Sequence, residues 1–583
     1  MTFTYKVTPA DWLGIAPLVV LVITALLVLL VDLALPHAGE KSKHTGPANF
    51  TVLPILSFVG ILGAIAATII LFLVDHPQQV FNSMVGADSG TLYAYLIILS
   101  AGGLGVLLSP SYLKRLKLVH QGEYYALLLM AMTGMMLMAA ATSFVIIFVG
   151  LEMFSLALYI LCGFAEQRKA SQEAGIKYFL LSSFASAFLL YGIALIYAAT
   201  GSTTLTAIAN FVKPLHQVTA DAINRVPTFS GDKSLLLVGM GLLTVGFAFK
   251  VSAIPFQAWT PDVYQGAPAP VTAFMSVGTK VAALLAFVRI FGFVLLPVQN
   301  DWMPVVWALA VLTIVIGNLM ALTQSNVKRM LAYSSITHGG YLLIGVVVGG
   351  PAGASAILFY LSCYLFMNLG AFGVISVLER IDNSGYDAND LRGLWYRCPW
   401  IAGLLAFFLI SLAGFPPMAG FAAKYYMFYT ALTNGHPELL IVGVLASILG
   451  IYYYLRPVAT MFMQQKESAP MSSIPSSPTV PATPSRGLAK AGTTSAKRAT
   501  TSGLATTGTA TAVAVKTPTA NTSDLSPEEV GTRFIASAPT VREHRWFTWL
   551  ALALATLGTL VLGVALPFWL PNLQQAAQML LQH

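Results

Sequence analysis

The sequence predicts an all-α, polytopic membrane protein of about fourteen transmembrane helices. Three observations carry that expectation. Of the 583 residues, 57% are hydrophobic and 9% charged, whereas a soluble domain carries about 25% charged residues. Apolar stretches of roughly 20 residues, the length that crosses a bilayer, recur along nearly the whole chain. Lysine and arginine gather in alternate connecting loops, the asymmetry of a multi-pass protein.

Span one covers about 12–35. Asp11 in front of it, and the absence of a small-residue cleavage motif, argue against a signal peptide. Spans two to five cover about 52–74, 91–110, 122–141 and 143–163. Span six covers about 172–200, span seven 234–264 and span eight 268–296. Spans nine, ten and eleven cover about 302–323, 327–350 and 352–379. Span twelve covers about 398–432, span thirteen 437–464 and span fourteen 546–570.

Two spans are predicted to break. Pro255 has no N–H, so within span seven the Val251 carbonyl loses its helical partner. In span twelve, Pro416 and Pro417 free the carbonyls of Leu412 and Ala413. Such backbone is tolerated at membrane depth only where it is buried in protein or lines a wet cavity. The broken spans lie five apart, and an odd offset inverts a unit across the bilayer, the pattern of inverted-topology repeats. Spans one to three then occupy 1–121, a first repeat 122–300 (spans four to eight), and a second, inverted repeat 301–466 (spans nine to thirteen). Residues 467–541, rich in Ser, Thr, Pro and Ala, lack the large apolar residues of a packed core and read as a disordered cytoplasmic insertion. Span fourteen and a tail fill 542–583.

Loop charges set the orientation. Lys41 and Lys43 follow span one; Lys114, Arg115 and Lys117 follow span three; Arg168, Lys169 and Lys177 follow span five or open span six. Lys328 and Arg329 follow span nine, Arg380, Arg392 and Arg397 follow span eleven, and Arg456 and Lys466 end span thirteen. Loops after even-numbered spans are nearly free of such charge, apart from Lys213, Arg225 and Lys233. The positive-inside rule places the odd-span loops in the cytoplasm and both termini outside. The net charge of +8 therefore reflects membrane topology, and nucleic acid is not an expected partner. Cys162, Cys363 and Cys398 are far apart and form no metal or cluster motif; apolar packing is expected of them.

Few ionisable residues fall deep in spans. A charge at the bilayer centre costs about 2.5–3.5 kcal/mol on insertion scales, so each marks a candidate site. Glu152 is mid-span in FVGLEMFSLALYIL and should face the interior, paired with a base. Lys250 precedes the Pro255 break, Lys280 lies mid-span in span eight, and Lys424 follows Pro417 by about two turns. His338 continues a polar run with Tyr333, Ser334, Ser335 and Thr337. Lys177 opens span six as a candidate entrance-side charge. Asp32 and Glu379 read as interfacial, Arg289 as snorkelling or paired, and Asp262 as a capping or turn residue. Burial disfavours a lysine's charged form and a nearby carboxylate favours it, so moving the carboxylate switches the lysine. Glu152 and Lys250 are expected to form such a switchable ion pair, and three lysines with an intervening histidine can hand protons on stepwise. No Gly-rich nucleotide fingerprint or cluster ligand set supplies redox chemistry, so none is expected on this chain.

At these residues the chain resembles a family. The runs GFAFKVSAIPFQAWTPDVYQGAPAPVTAFMSVGTK, NVKRMLAYSSITHGGYLLIG, LAGFPPMAGFAAKYYMF and SILGIYYYLRP resemble the N-subunit family of the bacterial proton-pumping NADH–quinone oxidoreductases, respiratory complex I. The resemblance covers essentially all fourteen spans, and Lys424 agrees with the N type, where the M type would have glutamate. It implies an antiporter-like, proton-translocating enzyme subunit with two inverted five-helix repeats. It implies Glu152 and Lys250 as the ion pair of the cytoplasmic-side half-channel, Lys280 as central relay, His338 as bridging relay and Lys424 as the proton-releasing lysine. NADH, FMN, iron–sulfur clusters and quinone would be used by the rest of the complex and none bound here. Implied partners are the antiporter-like M subunit, the small K, J, A and H types and the lipid bilayer, in a bacterial inner membrane. The insertion at 467–541 departs from the pattern, which has a short loop there. A second reading is a subunit of a multi-subunit cation/proton antiporter of the same superfamily; the GAPAP connection and Lys424 favour the first.

Overall fold

The computed structural model describes residues 7–35, 49–74, 76–116, 121–216, 233–379, 386–463, 545–564 and 566–582. Two compact units divide the chain, Met1–Gln464 with Glu543–His583, and Gln465–Arg542. The insertion expected at 467–541 lies outside the described residues, as do the loop charges Lys41, Lys43, Lys117, Arg225, Arg380 and Lys466.

Thirteen described helices are long and apolar enough to cross a membrane. They coincide with thirteen of the fourteen predicted spans. The other, span twelve, is present as two shorter helices, Pro399–Ala413 and Ala419–Thr433. Gly414 ends the first half at φ 96°, a left-handed value open to glycine without steric cost, and Pro416–Pro417 follows with a cis bond. Span seven breaks where Pro255 requires it. Its helix Lys233–Val251 gives way to irregular backbone, with Ser252 at φ 64°, before a short helix Trp259–Gly266. Trp259 Nε1 donates to the Phe249 carbonyl at 3.0 Å and Thr260 Oγ1 to Ser252 Oγ at 2.7 Å, folding the short helix back onto the broken end.

Outside the spans, a two-stranded hairpin pairs Gln79–Val80 with Val85–Gly86, and helices Leu205–His216 and Leu566–Gln582 follow spans six and fourteen. Asp11, read as a flank of span one, closes a capping box with Thr8 and accepts from the Phe81 N–H at 2.7 Å.

Span eight (Ala269–Arg289) and span ten (Val327–Val348) form the centre of the bundle; every residue of the first is buried. Small residues permit that, because helix approach in a membrane is limited by side-chain bulk. Gly339 of span ten is the decisive case. A Cβ there would lie 2.6 Å from the Val251 carbonyl oxygen, the acceptor freed by the span-seven break. Glycine thus lets span ten close over the broken end.

That contact predicts the effect of Gly339→Ala. Helix propensity favours alanine by about 1 kcal/mol, but overpacking against backbone costs about 1–3 kcal/mol. The variant is expected to give less assembled complex and weaker pumping, read by native gels and vesicle acidification. Parental values for both would mean that Val251 moves aside freely.

Candidate polar pathway within the membrane

The structure seats each predicted intramembrane cation in a polar pocket of its own. Lys250, 2% exposed, donates to Ser155 Oγ and to Ser182 Oγ at 2.7 Å each. Ser155 spends its own proton on the Leu151 carbonyl, so its lone pairs face the ammonium. Phe154 and Tyr178 present ring faces to Lys250 at 5.2 and 5.7 Å, which favours a desolvated cation. Trp259 stacks on Tyr178 at 4.8 Å, so the short helix of span seven helps to build this seat.

Lys280 is fully buried and donates to both the hydroxyl and the carbonyl oxygen of Ser335 on span ten. Its ammonium lies 5.4 Å above the Tyr364 ring. Lys424 donates to the Ala413 carbonyl at 3.0 Å, one of the two acceptors that Pro416 and Pro417 were expected to free. It lies 5.4 Å above the Tyr341 ring. His338 sits between these two lysines. Its ring is 4.9 Å from Tyr364, the neighbour of Lys280, and 5.9 Å from Tyr341, the neighbour of Lys424. Nδ1 bonds the Tyr360 hydroxyl at 2.7 Å and Nε2 the Tyr454 hydroxyl at 3.1 Å. Lys280, His338 and Lys424 are thus brought onto one polar, aromatic axis.

Two sequence expectations are corrected at the near end. Among the described residues no ion pair joins Glu152 to Lys250. The ammonium is held by serines, and Glu152 Oε1 is buried without a hydrogen-bond partner. Glu152 is half-buried on a stripe of span five shared with the exposed Val145, Val149 and Leu156, at the spacing of one helix face. Glu152 therefore stands beside this exposed stripe and acts on Lys250 by charge across space, without a contact. Asp262 is not a turn residue: it binds Lys177 and Arg329 at 2.8 Å each. Lys177 also pairs with Glu173 at 2.7 Å, so this candidate entrance charge belongs to a half-exposed network linking spans six, seven and ten.

Other ionisable groups are buried beyond what the sequence suggested. Glu379 is no interfacial residue. Its side chain is fully buried and accepts from Arg168 at 2.8 Å and Lys328 at 3.1 Å. Lys328 also donates to the Ala267 carbonyl at 2.7 Å. Arg115 donates to the last carbonyls of span eleven at Ser376, Val377 and Glu379. On the other side of the bundle Arg289 pairs with Asp88 at 2.5 Å and with Thr91. Burial alone would raise the Asp88 carboxyl, but the Arg289 guanidinium and the Thr91 backbone and hydroxyl donors hold it below the usual carboxylate value. Of the cysteines, Cys162 and Cys363 are buried as expected, while Cys398 is exposed.

Nothing in the residue pattern singles out Ser155 and Ser182 as ligands for Lys250, nor Tyr360 and Tyr454 for His338. The available signal was weak: serines one turn from Glu152 and in mid-span six, and tyrosines in apolar helices, where a buried hydroxyl needs a partner.

The comparisons with known proteins agree with this architecture. Residues 141–450 match the family described as NADH:quinone oxidoreductase/Mrp antiporter, TM. NADH-quinone oxidoreductase subunit N of Trichlorobacter lovleyi is 42% identical over 453 residues, covering 78% of this chain and 88% of that protein. Its namesake in Chloroflexus aggregans is 42% identical over 471 residues, covering 80% and 91%. Among solved structures, a chain of respiratory complex I from Thermus thermophilus matches with a TM-score of 0.65 and 26% identity, covering 96% of this chain and 99% of that one. A chain of the Mrp complex from a Dietzia species matches with a TM-score of 0.70 but only 19% identity, a likeness of fold alone. With N subunits at about 40% identity over most of the chain and a fold shared with complex I, this multi-pass chain belongs to the NADH–quinone oxidoreductase subunit N family, the proton-translocating antiporter-like membrane subunits of respiratory complex I.

Proposed function

We propose that protons cross this subunit by way of Lys250, Lys280, His338 and Lys424, with Glu152 as the carboxylate that switches Lys250. One observation carries the reading: His338 shares an aromatic neighbour with each flanking lysine, so three cationic seats lie along one buried line. Lys250 takes up the proton near the broken end of span seven, Lys280 relays it, His338 bridges, and Lys424 releases it beside the break in span twelve. Lys177, held by Asp262 and Glu173, guards the entrance. The two breaks, five spans apart, support two inverted repeats over 122–300 and 301–466 with 1–121 packed beside them. NADH, FMN, iron–sulfur clusters and quinone belong to other subunits in this reading, which leaves no redox centre here. The bacterial sources of the relatives favour an inner membrane, and the loop charges favour both termini outside. Glu152, half-buried on an apolar rim, favours a neighbouring membrane subunit covering that face, since lipid contact with a carboxylate is costly. Partners of the M, K, J, A and H types fit that need.

Glu152 is the test. Without a contact to Lys250, it acts through charge in a low dielectric. Glu152→Gln keeps shape and removes charge, so pumping should fall severely; Glu152→Asp keeps the charge and should retain part of it. Both are measured as acidification of the same vesicle preparation, with assembly checked on native gels. Equal pumping by the two variants would show that the carboxylate charge is not what matters.

A further inference from the structure

A second way into the relay is visible at His338, and it rests on the reading of that histidine as a proton carrier. A crevice of about 10 Å³, room for one water, opens among spans nine, ten and thirteen. Gln324, Ser325, Met330, Tyr453 and Arg456 are among its lining residues. These belong to the loop after span nine, the start of span ten and the far end of span thirteen, the basic face that the loop charges mark as cytoplasmic. None of them touches Lys250.

Two residues of the crevice wall, Met330 and Tyr453, each stand one step short of the groups around His338. Met330, Ser334 and His338 follow one another at intervals of four residues, on one face of span ten. From crevice to histidine is therefore about 12 Å along the helix. On span thirteen, Tyr453 in the crevice wall lies against Tyr454 with ring centroids 4.4 Å apart. The Tyr454 hydroxyl then covers the remaining interval: it bonds Ser334 Oγ and, at 3.1 Å, His338 Nε2. On the far side of the ring, His338 Nδ1 bonds the Tyr360 hydroxyl at 2.7 Å. An imidazole with a hydroxyl on each nitrogen can accept on one side and donate on the other.

We propose that Tyr454, His338 and Tyr360 form a proton wire that admits protons from the basic face through this crevice, joining the pathway beyond Lys250 and Lys280. The steps balance. A proton from crevice water reaches the Tyr454 oxygen as Tyr454 passes its own hydroxyl proton to His338 Nε2. The imidazolium then gives its Nδ1 proton to the Tyr360 oxygen as the Tyr360 hydroxyl proton passes through water to the neutral amine of Lys424, which becomes the ammonium. Both phenols end neutral, one proton has advanced, and the ring is left as the other neutral tautomer until it rotates back. No oxidant, reductant or metal takes part.

The experiment uses the whole complex in vesicles and reads protons pumped per electron delivered to quinone. Tyr454→Phe keeps the ring and its packing and removes only the hydroxyl, as Tyr360→Phe does on the other side. Both are expected to lower the ratio at normal assembly, and Ser325→Trp, which fills the crevice mouth and leaves the wire intact, should lower it too. A Gln324→Cys variant in a Cys398→Ser background should react with a membrane-impermeant maleimide only from the basic face. A normal ratio in Tyr454→Phe, whatever its assembly, overturns the wire; reaction of Gln324→Cys only from the opposite face overturns the crevice as its mouth. Lys250→Ala in parallel separates the two ideas. If it loses pumping while Tyr454→Phe keeps it, the relay stands and the second inlet falls; if both keep it, the relay itself fails.

Discussion

Lys250→Ala is expected to lose the pumping that enters at Lys250, leaving at most the share admitted at His338, in a complex that still assembles. The loss follows from the seat. Among the described residues, Lys250 is the only cation in a pocket made by Ser155, Ser182, Phe154 and Tyr178, and the two hydroxyls cannot hold an excess proton in its place. Assembly should survive for three reasons. Alanine is the best helix former. Ser155 keeps its bond to the Leu151 carbonyl, so removing the ammonium strands an acceptor and not a buried donor. The break at Ser252–Ala258 is held by Trp259 and Thr260, neither of which depends on the lysine. Pumping by inverted vesicles and complex content on native gels are the two readouts. Full pumping by an assembled Lys250→Ala complex would remove the lysine from the pathway.

The fold was largely legible because its signals are long-range sums. Twenty apolar residues in a row, and the sign of the loops between them, survive any local surprise. The breaks were legible because proline removes a specific hydrogen bond: Val251 and Ala413 were named from Pro255 and Pro417, and their carbonyls now meet Gly339 and Lys424. Charged members of the site were legible as well, since an ionisable residue deep in apolar sequence stands out. Pairing was not. Periodicity gives the face of a helix but not its rotation against neighbours, so the direct pairing of Glu152 with Lys250 gives way to an interaction by charge across space, with serines in contact with the ammonium. Neutral polar partners were also hidden. Ser155, Ser182, Tyr360 and Tyr454 are unremarkable in a membrane helix, and only packing shows that each faces a proton-carrying group. Glu379 is misread for a related reason: a carboxylate at a span end resembles an interfacial residue until Arg168 and Lys328, at the starts of two other spans, close on it.

Glu379→Gln should produce the largest loss of stability of any single change considered. The carboxylate oxygen Oε1 neutralises Arg168 and Lys328 together in a site that water does not reach. Removing one partner of a buried ion pair costs about 3–5 kcal/mol, mostly because the other charge is left unpaired, and here two cations are left. Arg168 opens span six and Lys328 opens span ten, so the cost falls on the joint between them. The variant isolates the carboxylate cleanly. Arg115 binds backbone carbonyls, including that of Glu379, and keeps these bonds whatever side chain stands there. Assembled complex on native gels and the midpoint of thermal inactivation should both drop sharply. Glu379→Asp keeps the charge on a shorter stem and should recover part of each. Glu379→Gln combined with Lys328→Met removes one charge of each sign and should be less damaging than Glu379→Gln alone, although the Ala267 carbonyl then loses its donor. If Glu379→Gln alone assembles and melts like the parent, the buried charges are being balanced elsewhere, and Glu379 does not hold the joint.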